Sequence, residues 1–286
     1  MSLSYTNTPV YIGHPNTSGV NTGFTGSIDW VPALSSDITL QTSTSPKRNL
    51  GVNVVTSDQF TFGAALTANI SIESLVQRDI SQGFRFLSGS TQEDYVPIQI
   101  GENLYQKCYP TDFNVRVEPF LPAKINASFV SLEPPTGTKV SGDSREFAQT
   151  TGFPISGDLL VYGHTCSTSN IAEVGADIQY DINFKRSYNR SPVYELGSIN
   201  ASSMLLDGIE EEMSISSTGL SEIVNLSGQL LDGSVEIMMQ DKDALMAGAL
   251  VDIMFMPAGS RVTDQNYGVQ GGETVRTSIT LKNIKL

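Results

Sequence analysis

A series of landmarks in the first half of the chain recurs in the same order in the second. That recurrence limits the fold more than any single motif does. Lys47–Ser74 reads KRNLGVNVVTSDQFTFGAALTANISIES, and Arg190–Ser217 reads RSPVYELGSINASSMLLDGIEEEMSISS. Leu50-Gly51 aligns with Leu196-Gly197, Gly63 with Gly208, and Ile70-Ser71-Ile72 with Met213-Ser214-Ile215, at offsets of 146, 145 and 143 positions. Val10-Tyr11-Ile12-Gly13-His14 is answered by Val161-Tyr162-Gly163-His164 at an offset of 150, and Gly26 by Gly175 at 149. Ile125-Asn126-Ala127-Ser128-Phe129 faces Val275-Arg276-Thr277-Ser278-Ile279, again at 150. Landmarks in constant order, with an offset that drifts by a few residues, are what a duplication with small loop indels leaves behind. The reading is two units, residues 1–133 and 158–286, each long enough to bury its own core. Between them, residues 134–157 form a linker, because Pro134 and Pro135 cannot continue a paired strand.

Within each unit the periodicity is that of strands. Leu66, Ala68, Ile70 and Ile72 alternate with Thr67, Asn69, Ser71 and Glu73, and Ile178, Tyr180, Ile182 and Phe184 alternate with Asp177, Gln179, Asp181 and Asn183. A period of two with one apolar side is a half-buried strand. Ile28 and Trp30 alternate with Ser27 and Asp29 in the same way, and further strands are expected at 84–87, 95–100, 113–117 and 125–132. Leu75, Val76, Asp79 and Ile80 predict a short helix near 73–82, and Leu220, Ile223, Val224 and Leu230 its second copy. Residues 1–25 have few apolar anchors and read as an extended arm. Residues 35–49 read as a long polar loop, and Arg186 to Ser191 as a turn or loop before Val193. The expected fold is mainly β: two tandem β-sandwich or partly closed β-barrel domains, each with one short helix, plus long loops and an N-terminal arm.

The charge is −13 overall, divided as 7 basic and 11 acidic residues over 1–133 and 8 basic and 17 acidic over 158–286. Gripping nucleic acid requires clustered Lys and Arg, so that class is disfavoured, whereas letting nucleic acid pass is not. No basic leader followed by an apolar run opens the sequence, and Asp252 interrupts the longest apolar stretch, so no signal peptide or membrane span is expected. Cys108 and Cys166 occupy non-corresponding positions and read as reduced thiols, with a disulfide across the halves as the alternative. His14 and His164 lack further ligands at metal spacing, and no catalytic constellation, cofactor motif or metal site is expected. Gly142-Asp143-Ser144 has the first letters of a hydrolase motif but sits in the linker with no histidine after residue 164. The Asn-x-Ser/Thr sequences at Asn16, Asn69, Asn126, Asn200 and Asn225 carry no weight without secretion.

Glu210-Glu211-Glu212 is the densest acidic run. Alternation puts Glu210 and Glu212 on one face with Ser214 and Ser216, opposite Met213 and Ile215, so this strand has a negative face. It is either a solvated strand face or a channel wall.

A strand, a long polar loop, a Tyr194-Glu195-Leu196-Gly197 turn, a glycine-led alternating strand and a short helix, present twice, resemble the tail tube proteins of tailed bacteriophages. The similarity is strongest over residues 175–217 and weaker over 26–74. It implies rings whose inner sheets join into one barrel, stacked into a tube that conducts double-stranded DNA from capsid to host. Most members carry one such domain and build rings from six copies, so a duplicated chain implies a trimer with pseudo-sixfold symmetry. The wall candidates are Thr67, Asn69, Ser71 and Glu73, then Glu210, Glu212, Ser214 and Ser216, with Asp177, Gln179, Asp181 and Asp29 next. Ser43, Pro46, Lys47 and Arg48 in the polar loop are candidates for contacts between subunits or rings. Further partners implied by the resemblance are a tape-measure protein, tail-completion and baseplate proteins, and a sheath in contractile tails. The alternatives are a tail hub or baseplate adaptor, a host-surface adhesin, and, third, a glycan hydrolase with a β core.

Overall fold

The computed structural model describes residues 10–13, 28–31, 33–41, 45–46, 60–61, 67–75, 95–118, 121–133, 135, 159–162, 180–196, 201–217, 228–230, 235–240, 250–268 and 276–285. They are mainly β, and none of them is helical. The first half contributes β1 (Val10–Gly13), β2 (Ile28–Val31), β3 (Ala33–Gln41), β4 (Ser45–Pro46), β5 (Phe60–Thr61), β6 (Thr67–Leu75), β7 (Val96–Ile100), β8 (Asn103–Val117) and β9 (Lys124–Ser131). The second half contributes β10 (Leu159–Tyr162), β11 (Tyr180–Tyr194), β12 (Ala201–Ser217), β13 (Val235–Gln240), β14 (Leu250–Met256), β15 (Arg261–Gly268) and β16 (Arg276–Lys285).

Eleven of these strands form one antiparallel sheet that does not close on itself. One eight-strand path through it runs β3-β6-β9-β8-β11-β12-β16-β15, so strands from both halves share one sheet through the ladder of Asp112–Val117 on Ser187–Ile182. A second branch, β7-β1-β2, leaves the other end of β8, where Asn103–Cys108 pairs with β7. β7 and β11 thus occupy successive segments of one edge of β8, while β9 holds the opposite edge. A register shift between Pro110 and Asp112 separates the two segments, and such a bulge bends the strand that carries it. The bend lets the short branch turn over the apolar face. Val10, Ile12 and Ile98 join the same core cluster as Ile70, Phe129, Ile182 and Ile215, and all five residues of β7 are buried. Gly101, at φ 60, begins the two-residue connection from β7 to β8, a backbone conformation that glycine adopts without steric cost.

Cross-strand rows define the core. Ile38, Ile70 and Phe129 stand opposite one another on β3, β6 and β9, and Ile182, Ile215 and Ile279 do so on β11, β12 and β16. Phe113 meets Phe184 edge-to-face at 6.3 Å between ring centroids where the two halves join. Such a pair contributes about 0.5–1.5 kcal/mol beyond its buried area. The remaining strands form a three-stranded sheet, β10-β13-β14, and the short β4–β5 pair.

Several expectations are corrected. Glu73–Leu75, expected to open a helix, end β6, because their ladder to β9 continues the alternation of residues 67–72. The remainder of that helix and residues 220–224 of its second copy lie outside the described residues, and Leu230 makes a β-bridge to Arg261. Residues 35–41, read as loop, are strand β3 paired to β6 throughout. Their Ser, Asp and Thr residues look like loop composition, but an edge strand with one solvated face tolerates them. Within the N-terminal arm, Val10 and Ile12 are buried strand residues paired with β7. Arg186–Ser191, read as a turn, lies inside the 15-residue strand β11.

Candidate functional site

The sheet's second face is polar, and one row of residues crosses all eight strands of the long path. In order it is Ser35, Glu73, Asn126, Asn114, Lys185, Glu212, Lys282 and Arg261. The adjacent row holds Asp37, Ser71, Ser128, Asp112, Ser187 and Glu210, ending at Ile284. Alternation positions both rows, because every second residue of a strand shares a face. In β6, Asn69 and Ser71 are exposed and Thr67 and Glu73 partly so, while in β12 Glu210 is exposed and Glu212, Ser214 and Ser216 are partly so. Asp181 joins them from β11, opposite Ser216. Nine of the expected wall residues therefore share one face of one sheet: Thr67, Asn69, Ser71, Glu73, Asp181, Glu210, Glu212, Ser214 and Ser216.

Of the rest, Asp29 alone lies among the described residues. Asp29 lies on β2, opposite Ile12, in the short branch. Asp177 and Gln179 lie outside the described residues. Pro46 stands opposite Phe60 in the β4–β5 pair, and Ser43, Lys47 and Arg48 lie outside the described residues, as do His14, His164, Cys166 and Gly142–Ser144.

β12 itself carries carboxylates and no Lys or Arg on this face, but the other strands of the sheet supply cations beside them. Lys282 Nζ lies 2.8 Å from Glu212 Oε2, and the carboxylate raises the lysine's pKa. Lys124 Nζ lies 3.2 Å from Glu73 Oε1, and Lys185 stands directly opposite Glu212. Hydroxyls and amides knit the rows together. Ser187 Oγ donates to Asp112 Oδ1 at 2.9 Å, Asn189 Nδ2 to Glu210 Oε1 at 3.1 Å, and Ser214 Oγ lies 3.3 Å from Thr280 Oγ1. Sequence reasoning missed Lys124, Lys185 and Lys282, although Lys124, Asn126 and Ser128 alternate with Ile125, Ala127 and Phe129 as plainly as β6 does. At one end this face is capped by a small apolar cluster of Tyr109, Val130, Leu132 and Ala201, with Tyr95 and Met204 packed on it. Arg190 anchors there: its Nε donates to the Pro110 carbonyl at 2.9 Å, and its guanidinium sits 5.6 Å from the Tyr109 ring centroid.

The core face contains one charged group of residues. Arg186 and Glu211 are each 1% exposed, directly opposite one another on β11 and β12, with Arg186 Nη2 2.5 Å from Glu211 Oε1. Asn283 of β16, directly opposite Glu211, donates from Nδ2 to Glu211 Oε2 at 2.7 Å. Arg186 also lies 5.5 Å from the Phe184 ring centroid, and Tyr188 contacts it with a phenol whose pKa burial pushes up. Cys108 is a free, fully buried thiol, and burial pushes its pKa well above the ordinary range.

No group of three His, Cys, Asp or Glu residues able to hold a metal ion, and no helix long and apolar enough to span a membrane, occurs among the described residues. No protein-family model matches the chain, and no curated protein matches it in sequence.

Proposed function

We propose that this chain is a structural protein of a bacteriophage tail, and that its copies close into rings which stack into a DNA-conducting tube. The observation that carries the reading is the eight-strand path with one apolar face, one polar face and two outer strands, β3 and β15. Eight is even. In a fully antiparallel path the last strand of one copy is therefore antiparallel to the first strand of the next, and the same ladder can continue from copy to copy. Closure of this kind pairs the exposed β3 and β15 edges.

The dimensions disfavour two copies and accommodate three, the number that a duplicated domain implies. With strands about 4.8 Å apart and tilted about 40°, eight strands occupy about 50 Å of circumference. Two, three and four copies then give backbone diameters of about 32, 48 and 64 Å. Inward side chains reduce each by about 11 Å. A duplex about 20 Å wide with its counterions fits poorly in the about 21 Å left by two copies and passes freely through the about 37 Å left by three.

Duplication is supported by the path itself. β3-β6-β9-β8 and β11-β12-β16-β15 follow the same order, all antiparallel. The core rows Ile38–Ile70–Phe129 and Ile182–Ile215–Ile279 differ by 144, 145 and 150 positions (182 − 38, 215 − 70, 279 − 129); the Phe129–Ile279 match coincides with a sequence landmark, whereas Ile70 falls two residues from its landmark partner Met213. On this reading β3 is the counterpart of β11, and Glu73 and Glu212 line one channel wall. Two cations on that wall are held against carboxylates, Lys282 by Glu212 and Lys124 by Glu73, which lowers the positive charge that phosphates meet there. The protein has no enzymatic role on this reading. Its partners are further copies, a tape-measure protein, and tail-completion or baseplate proteins, with a sheath in a contractile tail.

Electron microscopy of the purified protein is the test. Hollow tubes with a lumen near 37 Å and threefold rings are expected. Isolated rings point instead to a hub or baseplate adaptor, and monomers at every concentration to an adhesin or enzyme.

A further inference from the structure

We infer that the buried Arg186–Glu211–Asn283 group fixes the register of β11, β12 and β16, and thereby the height at which Glu210 and Glu212 stand on the polar face. Hydrophobic alternation excludes a slip by one residue, which would turn every buried side chain to solvent. It does not exclude a slip by two. Ile182, Phe184 and Tyr188 on β11 face Ile215, Met213 and Ile209 on β12, and after a two-residue slip apolar residues would still face apolar ones.

The charged pair breaks this degeneracy. A two-residue slip in one direction sets Arg186 against Ile209 and Glu211 against Phe184. In the other direction Arg186 meets Met213 and Glu211 meets Tyr188. Either way the buried guanidinium and carboxylate cease to be directly opposite and face apolar or aromatic residues instead, a greater penalty than that of a displaced apolar contact. Asn283 extends the constraint to β16 in one direction, because a slip that sets Glu211 against Leu281 leaves its second carboxylate oxygen without a donor, whereas the opposite slip sets it against Lys285. A two-residue slip would also carry Glu212 away from Lys185 and Lys282, shifting the wall rows by about 6.6 Å along the strand. Arg186, Glu211 and Asn283 thus act as positioning residues for a face that they do not touch. The inference concerns register alone, so it stands or falls independently of the tube reading.

Disulfide trapping reads register directly. Asn183 and Ser214 are exact cross-strand partners on the polar face, whereas Glu212 and Ser216 are their diagonal neighbours. Directly opposite cysteines fall within bridging distance, and diagonal ones, at about 7–8 Å, do not. In a Cys166→Ser background, N183C/S214C is expected to oxidise at least tenfold faster than N183C/S216C or N183C/E212C. With Arg186→Met and Glu211→Leu added, a diagonal pair is expected to oxidise within threefold of the direct one. Unchanged tenfold selectivity in that variant would overturn the inference. Should it fail to fold, the exchanged pair R186E/E211R and the milder N283L serve. The exchanged pair is expected to keep the selectivity and N283L to lower it, and the opposite result from either overturns the proposal.

Discussion

Replacing Glu210 and Glu212 together with lysine tests the channel reading where the structure makes the arithmetic explicit. The fold should survive. Glu212 and Lys282 are 45% and 49% exposed, and an exposed pair contributes no more than about 1 kcal/mol. Glu210 gives up one exposed hydrogen bond from Asn189. Each substitution changes the local charge by about +2, so three copies change a ring by about +12, or about 1 kcal/mol per cation–phosphate contact at 4 Å in water. On the channel reading a Debye length of about 8 Å confines the field to the lumen, and the new lysines flank Lys185 and Lys282, so four cations meet in one strip of the polar face. The assay is DNA ejection from virions carrying the variant, followed by dye fluorescence at two ionic strengths. Ejection is expected to slow at least tenfold at low salt and recover toward the wild-type rate at high salt. Wild-type kinetics at both salt concentrations, from tubes of normal appearance, would refute the wall assignment.

Three further outcomes concern the fold. Glu211→Ala leaves the Arg186 cation buried without its carboxylate, and calorimetry should record a loss of about 3–5 kcal/mol, a fall of about 10 °C in Tm; a loss under about 1 kcal/mol contradicts the burial. Cys108, Tyr109 and Tyr188 are all held protonated by burial, with folded pKa values above their unfolded ones. Their contribution is therefore complete below about pH 8.5 and is lost as the pH rises past about 10, and a urea midpoint that stays flat from pH 8 to 10.5 contradicts it. Gly101→Ala forces a β-carbon into φ 60 at the β7–β8 turn and should cost about 1 kcal/mol in the same urea titration, against no change if the turn simply relaxes.

Much of the β character was legible because it depends on nearest neighbours. Ala68, Ile70 and Ile72 alternate with Asn69, Ser71 and Glu73, and the burial of β6 follows that alternation residue by residue. The same rule put Glu210 and Glu212 on one face with Ser214 and Ser216, opposite Met213 and Ile215. It failed at Ser35–Gln41, whose polar residues resemble a loop until β6 supplies a ladder, and at Glu73–Leu75, where local helical spacing yields to pairing with β9. In both cases a hydrogen-bonding partner more than 25 positions away decides the conformation, and local composition carries no record of that partner.

The sequence by itself determined which residues of each strand share a side, because a period of two is a property of the chain. What lies across from them was decided only in the folded sheet. Lys185 and Lys282 flank Glu212 because β11 and β16 both pair with β12, although Lys282 is 70 positions further along the chain. Arg186 read as part of a turn or loop and Glu211 as the middle of an acidic run, yet their strands carry them into the core, where each is tolerated because the other is there. Alternation has no preference between registers two residues apart, so the choice among them falls to contacts that exist only once the three strands have met.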